Sequence, residues 1–495
     1  MSIKERYEKL ATIRKDYEDR AESNSELTIP AIFTDEAFTG KDSLVDKEVQ
    51  SLGGMGVKAL ASKLVMSLMP PEGRFFRIRP HSGAMNELTG GDNNAKAQAI
   101  SIMSQGEEDV LAEITKQDIQ TKFFTLMQYL AITGNMLVEK LPKEGLRLHS
   151  LRNYVVKRNS RGKAIEIIFV EKVVNSDLVD FGIELAEDEE AELYTRVYLE
   201  EKDRWIQEQE VNGDIVGDEK TFNSKKLPYN PVVWELLPNE DYGRSYVDDL
   251  RPDLMQYQNC IKMLIEGSIA ASKTVYMVNP LGQTKKKDLS EAANLDIIDG
   301  REEDVTTPKT NKNYDFQQIS QLIQDYRMSL GKAFLDTGSA RRDAERVTAE
   351  EIQMMIRELE TVLAGTFTHF ATNLLEPIVQ WIIDEVGIEV GDGTDINIVV
   401  GADALAKSRE TEKTLQYVNI LHSLKYNDYV NEGEVVTRLA NSIGINQVNL
   451  VLTPEQVKQK RTASAQALQA QQAGMAGMAS AGQNVMNPQQ PQGGQ

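Results

Sequence analysis

The stretch Asp253–Lys273 reads DLMQYQNCIKMLIEGSIAASK. Leu254, Tyr257, Ile261, Leu264, Ile265 and Ile269 fall at helical spacing and share one face. From Pro252 to Ser272 such a helix spans roughly 30 Å at about 1.5 Å per residue. Pro252 either opens it at the first turn or kinks a longer helix that begins near Ser245. The far end is small, with Gly267, Ser268, Ala270, Ala271 and Ser272, which predicts close packing against a neighbour. A second stripe follows at Ile319, Leu322, Ile323, Tyr326, Leu330 and Phe334. Between the two helices lie a short strand, TVYMVNP (274–280), and a polar excursion carrying Lys285, Lys286 and Lys287. The two stripes exceed what one helix hairpin can bury.

Toward the N-terminus the chain is mostly helical. Ile3, Tyr7, Leu10, Tyr17 and Ala21 mark a first helix. GGMGVKALASKLVMSLMPPEG (53–73) predicts a second, its glycines before it and Pro70-Pro71 ending it. A third runs from about Asn94 to Lys116. A fourth, KFFTLMQYLAITGN, ends at Gly134-Asn135, a left-handed cap pair. From about Met136 to Trp234 the period changes. KAIEIIFVEKVV, LYTRVYLEEKD and RWIQEQEV are rich in β-branched and aromatic residues, and Asn159–Gly162 and Asn212–Asp214 are turn signals. A mostly antiparallel β region is expected, with the acidic ELAEDEEAE (184–192) a solvated loop or a helix start.

Beyond the second stripe, DTGSARRDAERV (336–347) is polar and basic, with Arg341, Arg342 and Arg346. Thr348 and Glu351 form a capping box for a helix that extends to about Glu376, where Pro377 interrupts it. DINIVV (395–400) is a strand and Ser408–Ile443 is helical again. After about Arg461 the composition falls to Ala, Gln, Gly, Met, Ser, Asn and Pro, which leaves little to bury.

The chain has 495 residues, enough for about three domains at the usual ~100–200 residues each. Lys+Arg is 55 and Asp+Glu 76, a net charge of −21, so the surface as a whole repels nucleic acid and any polyanion contact is local. The single cysteine, Cys260, excludes an intrachain disulfide and a cysteine zinc cluster, and fits a reducing compartment. The charged N-terminus has no signal-peptide core and no run of eighteen apolar residues exists; Leu60–Pro71, the longest candidate, is broken by Lys63. A soluble intracellular protein with no membrane association is expected.

Signatures of catalysis are missing. His81, His149, His369 and His422 are scattered with no metal-ligand spacing, and each reads as structural or exposed. Cys260 has no neighbouring histidine and reads as a small core residue. No GxxxxGK[ST] or GxGxxG occurs, and GGMG lacks the lysine and hydroxyl that a phosphate loop requires. No enzyme, metal or cofactor is expected. The two basic groups read, on composition alone, as solvated loops.

The order of parts resembles the portal (head-to-tail connector) proteins of short-tailed, podovirus-type bacteriophages. LASKLVMSLMPPEGRFFRI, GNMLVEKL, YGRSYVDDL with the long helix ending in SKTVYMVNP, ERVTAEEIQMMIRELETVLAG, RLANSIGI and LTPEQ carry the resemblance, from about Leu52 to Gln456. Pro252 is a departure from that pattern. The resemblance implies an α+β, predominantly helical portal fold of wing, stem, clip and crown, assembled as a dodecameric ring. It implies a wing at 1–240, stem helices at 241–273 and 316–335, and a clip at 274–315. A tunnel loop at 336–347, a long helix and wing at 348–406, a crown at 407–461 and a tail at 462–495 complete it. The implied function is a DNA channel at one capsid vertex, for genome packaging and ejection. Lys285, Lys286 and Lys287 would meet partners at the clip; Arg341, Arg342 and Arg346 would face DNA. Implied partners are eleven further copies, the terminase large subunit, tail adaptor or tail tube proteins, major capsid and scaffolding proteins, and double-stranded DNA. The implied location is the virion, with host cytoplasm during assembly. Another acidic, helix-rich oligomeric scaffold binding only proteins is the alternative, and a nucleic-acid hydrolase the third.

Overall fold

The computed structural model describes residues 2–33, 50–70, 75–80, 93–174, 190–272, 276–306, 313–335, 359, 361–363, 365–388 and 394–398, with isolated helical positions at 417, 419, 420, 423, 435, 460, 462–464 and 466. Two compact units result: Met1–Arg77 with Asp109–Asp392 and Ile396–Ala402, and Ile78–Glu108 with Gly393–Asp395 and Asp403–Gln495.

In the first unit, Ser2 and Glu5 form a reciprocal capping box that starts α1 (Ile3–Glu26). Its buried residues Ile3, Tyr7, Leu10, Arg14, Glu18 and Ala21 keep the expected spacing. α2 (Leu52–Leu68) follows. Its glycines lie inside the first turns, not before the helix as the sequence suggests. The reason is the end of α1: a Cβ at Gly53 would meet the Leu27 carbonyl oxygen at 2.3 Å, and one at Gly54 the Thr28 oxygen at 2.7 Å. Gln50 braces the same junction, donating to Leu27 O at 2.7 Å and accepting from the Gly53 N–H at 3.0 Å.

β1 (Phe76–Pro80) and α3 (Asn93–Lys116) come next. In the second unit, the Ile78 N–H donates to Glu107 at 2.9 Å. α4 (Ile119–Thr133) ends as expected at Gly134, φ 73°.

The β region is antiparallel throughout. β2 (Asn135–Leu141), β3 (Gly145–His149) and β9 (Tyr229–Val233) form one sheet in the order β3-β2-β9. β4 (Tyr154–Arg158), β5 (Ala164–Val173), β6 (Ala191–Glu201), β7 (Arg204–Val211) and β8 (Asp214–Asn223) form a five-stranded meander. Asn212 (φ 53°) and Gly213 (φ 93°) make the two-residue turn between β7 and β8, the left-handed pair a tight hairpin needs. The acidic insert lies mostly outside the described residues. Alternate residues of the meander meet Leu137, Tyr229 and Tyr242 in one core that includes Phe169, Val197 and Trp205. On the other face Val155, Ile168 and Tyr194 receive Ile3, Tyr7 and Leu10 of α1.

Ser245 and Asp248 exchange hydrogen bonds at 2.9 and 3.0 Å ahead of α5 (Tyr246–Ser272). Pro252 therefore lies inside a helix that begins near Ser245, the second of the two alternatives. β10 (Met277–Val278) pairs antiparallel with β11 (Val305–Thr306), and α6 (Lys286–Glu291) lies between them. α7 (Asn313–Ala333) returns along α5. Further on, residues 365–370 are helical, Ala371–Leu375 is a π-helical turn, and α8 (Glu376–Val386) continues past Pro377. The sequence predicts a break at this proline. The wider turn accommodates it instead, with the Glu376 N–H bonding back to Ala371 O. β12 (Thr394–Ile398) pairs with β1.

Glu166 on β5 ties α1 to the sheet. It accepts from Arg6 at 2.5 Å and Arg196 at 2.8 Å. Burial alone would raise its carboxyl; the two guanidinium groups outweigh that and hold it below its ordinary range. Glu166→Gln should destabilise the protein by about 1–2 kcal/mol, the low end for charged hydrogen bonds because both arginines are partly exposed. The depressed pKa makes the contribution fully present above about pH 4.5 and lost as pH falls through the folded value. Denaturant unfolding at about pH 7 and about pH 3 should show the gap between variant and parent closing in acid.

Candidate functional site

The hairpin of α5 and α7 buries its stripes unevenly. Near the body, Leu254, Tyr257, Leu330 and Phe334 are buried. Farther out, Ile265 is 46% exposed, Ile269 55% and Leu322 48%. A close approach does occur at the small end of α5, at Gly267: a Cβ there would meet Phe316 of α7 at 2.6 Å. Ser268 and Ala270, expected in that contact, are exposed. The side chains of Ala271 and Ser272 lie outside the described residues.

The excursion between the helices, residues 276–306, is a small lobe whose only buried side chains are Thr284 and Asp304. Asp304 is its centre. Its carboxylate accepts from the backbone N–H groups of Gln283 at 2.8 Å and Thr284 at 3.1 Å, and from the Thr284 hydroxyl at 3.2 Å. The Arg301 N–H closes the other side on Thr284 Oγ1 at 3.0 Å. These bonds, the Thr284 backbone N–H foremost, hold the Asp304 carboxyl below its ordinary range. They also fix the chain just before Lys285, Lys286 and Lys287, which stand exposed at the start of α6. Only a long 3.9 Å pair to Glu291 restrains Lys287. Beside them Leu281, Leu295 and Ile297 are 94%, 93% and 99% exposed. The lobe thus presents cations and bare apolar groups together.

Arg341, Arg342 and Arg346 lie outside the described residues, as does the Thr348–Glu351 capping box. The structure places the end of α7 and the buried Leu335 that precede them.

One chemical grouping escaped the sequence. The ligand atoms of Glu139, His149 and Glu171 lie within 4.8 Å of one another. His149 Nε2 is 2.8 Å from Glu139, while Arg147 reaches Glu171 at 2.5 Å and Glu139 at 3.8 Å. Burial raises the Glu171 carboxyl. With arginine already seated between the carboxylates, the group is an ion-pair set joining β2 and β3 to β5. Pairing of β2 with β3 brings Glu139 near His149, and Glu171 reaches them from the separate five-stranded sheet, so spacing along the chain does not reveal the group. His369 is half-buried against Val233 O at 3.0 Å and Asn373, a structural placement. Cys260 is a half-buried free thiol, less enclosed than the expected core residue. Among the described residues no helix is long and apolar enough to cross a membrane.

Asp304→Ala should release the lobe while leaving the sheets folded. Hydrogen exchange in 276–306 should accelerate with exchange in β4–β7 unchanged. Because the Asp304 pKa is depressed, protection in the parent protein should also fall as pH drops below about 3.9.

The family profile described as Bacteriophage head to tail connecting protein matches residues 1–451. The portal protein of Escherichia phage T7 is 27% identical over 481 residues, spanning 92% of this chain and 89% of its own. That of Enterobacteria phage SP6 is 26% identical over 486 residues, spanning 93% and 92%. Among solved structures, a chain from the neck of an empty GTA particle aligns with 79% of this chain and 90% of its own, at a TM-score of 0.40 and 9% identity.

Proposed function

Because the chain belongs to the family of bacteriophage head-to-tail connecting proteins, we propose that it is a portal: a ring whose channel carries the genome through one capsid vertex. The supporting observation in this molecule is the pair of stem stripes left half-bare at Ile265, Ile269 and Leu322. Exposed apolar groups aligned along a hairpin in this way suit burial against neighbouring copies. Ring assembly and association with capsid and tail follow from the family. The finer reading is a dodecamer with the parts set out above: wing, stem, clip at 274–315, tunnel loop at 336–347, crown and tail. The family is structural, and no catalytic step is assigned to any residue.

In this reading the clip lobe docks the terminase large subunit during packaging and a tail adaptor or tail tube protein afterwards. Capsid and scaffolding proteins surround the ring, which passes from host cytoplasm into the virion. The exposed lysines of α6 suit steering toward acidic partner surfaces. Arg341, Arg342 and Arg346 suit phosphate contacts that read no sequence. The acidic remainder keeps a moving duplex from adhering.

Negative-stain imaging of the purified protein tests the main claim. Twelve-fold rings with a central hole support it, and a solid or non-cyclic assembly would leave the scaffold alternative standing.

Two variants test the finer roles. Reversing Lys285, Lys286 and Lys287 to glutamate should leave rings intact but slow association with terminase or adaptor, most strongly at low salt. Unchanged binding at low salt counts against the role. Arg341→Ala with Arg342→Ala should assemble normally yet reduce DNA packaging or retention; a full, retained genome at the normal rate would make the segment a connector only.

A further inference from the structure

Ala333, which ends α7, and the two residues after it are each held by a different contact. The Tyr246 hydroxyl on α5 donates to Ala333 O at 2.6 Å. Phe334 packs so tightly on α2 that a Cβ at Gly56 would lie 2.4 Å from its ring. The Lys63 ammonium, also on α2, donates to Leu335 O. Leu335 itself is buried and sits at φ 58°, a left-handed conformation that glycine adopts easily and leucine does not. Its N–H bonds back to Lys332 O at 3.0 Å, so the helix closes there.

Lys63 is the unusual member. It is 8% exposed, in a helix whose neighbouring Leu60, Ala61 and Leu64 are fully buried. Methionine would match the length and unbranched shape of its stem without a buried charge. What methionine lacks is a donor. Leu335 O lies two residues past the last helical residue, close to the helix's negative pole, so a buried ammonium on it satisfies a buried carbonyl and is itself stabilised.

We propose that Lys63 is a positioning residue: from α2 it fixes the point and direction at which the chain leaves α7 toward Arg341 and Arg342. The DNA consequence rests on the tunnel-loop reading given above. The positioning claim does not, because it concerns only residues 333–335 and their partners. Gly56 and Tyr246 complete the clamp, one by close approach and one by a second donor.

The test uses full-length assembled rings. Lys63→Met keeps the bulk and removes the donor. It should raise the rate of limited tryptic cleavage after Arg341 and Arg342 by about five- to tenfold, an opening equilibrium shift of roughly one decade. Cleavage at Lys285–Lys287 serves as the internal control and should not change. Lys63→Gln, which retains a shorter donor, should fall between, and it carries the test if the methionine variant does not assemble. Unchanged cleavage after Arg341 and Arg342, or an equal rise at the lobe lysines, overturns the positioning role. DNA packaging separates the two readings. If cleavage rises while Arg341→Ala/Arg342→Ala packages normally, the clamp stands and the DNA contact falls. If both packaging and cleavage respond, adding Lys63→Met to the arginine double variant should lower packaging no further, since both act through one segment.

Discussion

A helix hairpin can bury only the surfaces its two helices turn toward each other and toward the body that supports them. In α5 and α7 that support ends partway out. Leu254, Tyr257, Leu330 and Phe334 are covered by the body, while Ile265, Ile269 and Leu322 are not. Much else in the chain depends on this unfinished burial. The two sheets enclose their core of Phe169, Val197 and Trp205 without a partner. The hairpin's exposed stripes suit one, and a ring supplies the same neighbour to every copy.

The lobe at the hairpin's tip meets the same shortage differently. With no apolar side chain buried in 276–306, it is held by polar groups converging on Asp304. Such a knot fixes backbone without enclosing surface, so Leu281, Leu295 and Ile297 remain bare beside the lysines. Such a division would suit the proposed docking of different partners in succession. The scaffold keeps its shape through hydrogen bonds made within it, and the apolar and charged groups stay free for exchange.

Much of this was legible in the sequence because periodicity is a local property. The α1 and α5 stripes, the Gly134 cap and the Asn212-Gly213 turn each follow from residues a few places apart. The misreadings involve distant partners or a local departure from α-helical geometry. Gly53 and Gly54 look like a loop until the end of α1 is laid across them. Pro377 looks like a stop until a π-helical turn widens the helix ahead of it. The Glu139–His149–Glu171 group exists only where β2 and β3 of one sheet meet β5 of the other. The roles of the arginines of 336–347 rest on composition and resemblance, and the described residues reach only their threshold at Leu335.

Lys63 shows the same limit from the other side. In the sequence it merely interrupts an apolar run, a reason to discount a membrane span. In the fold that interruption is the point: an ammonium placed where its neighbours are fully buried, against the carbonyl end of a helix 272 residues later in the chain. A channel that lets a duplex slide must avoid gripping it strongly, so a net charge of −21 and a few cations per copy suit the task. On the proposed reading only Arg341, Arg342 and Arg346 of each copy meet the phosphates, so their position matters more than their number. A contact that is weak by necessity works only if it is aimed, and aim must come from rigid elements behind it. In that reading, the buried donors of Lys63 and Tyr246 at the end of α7 are the kind of rigidity that supplies it.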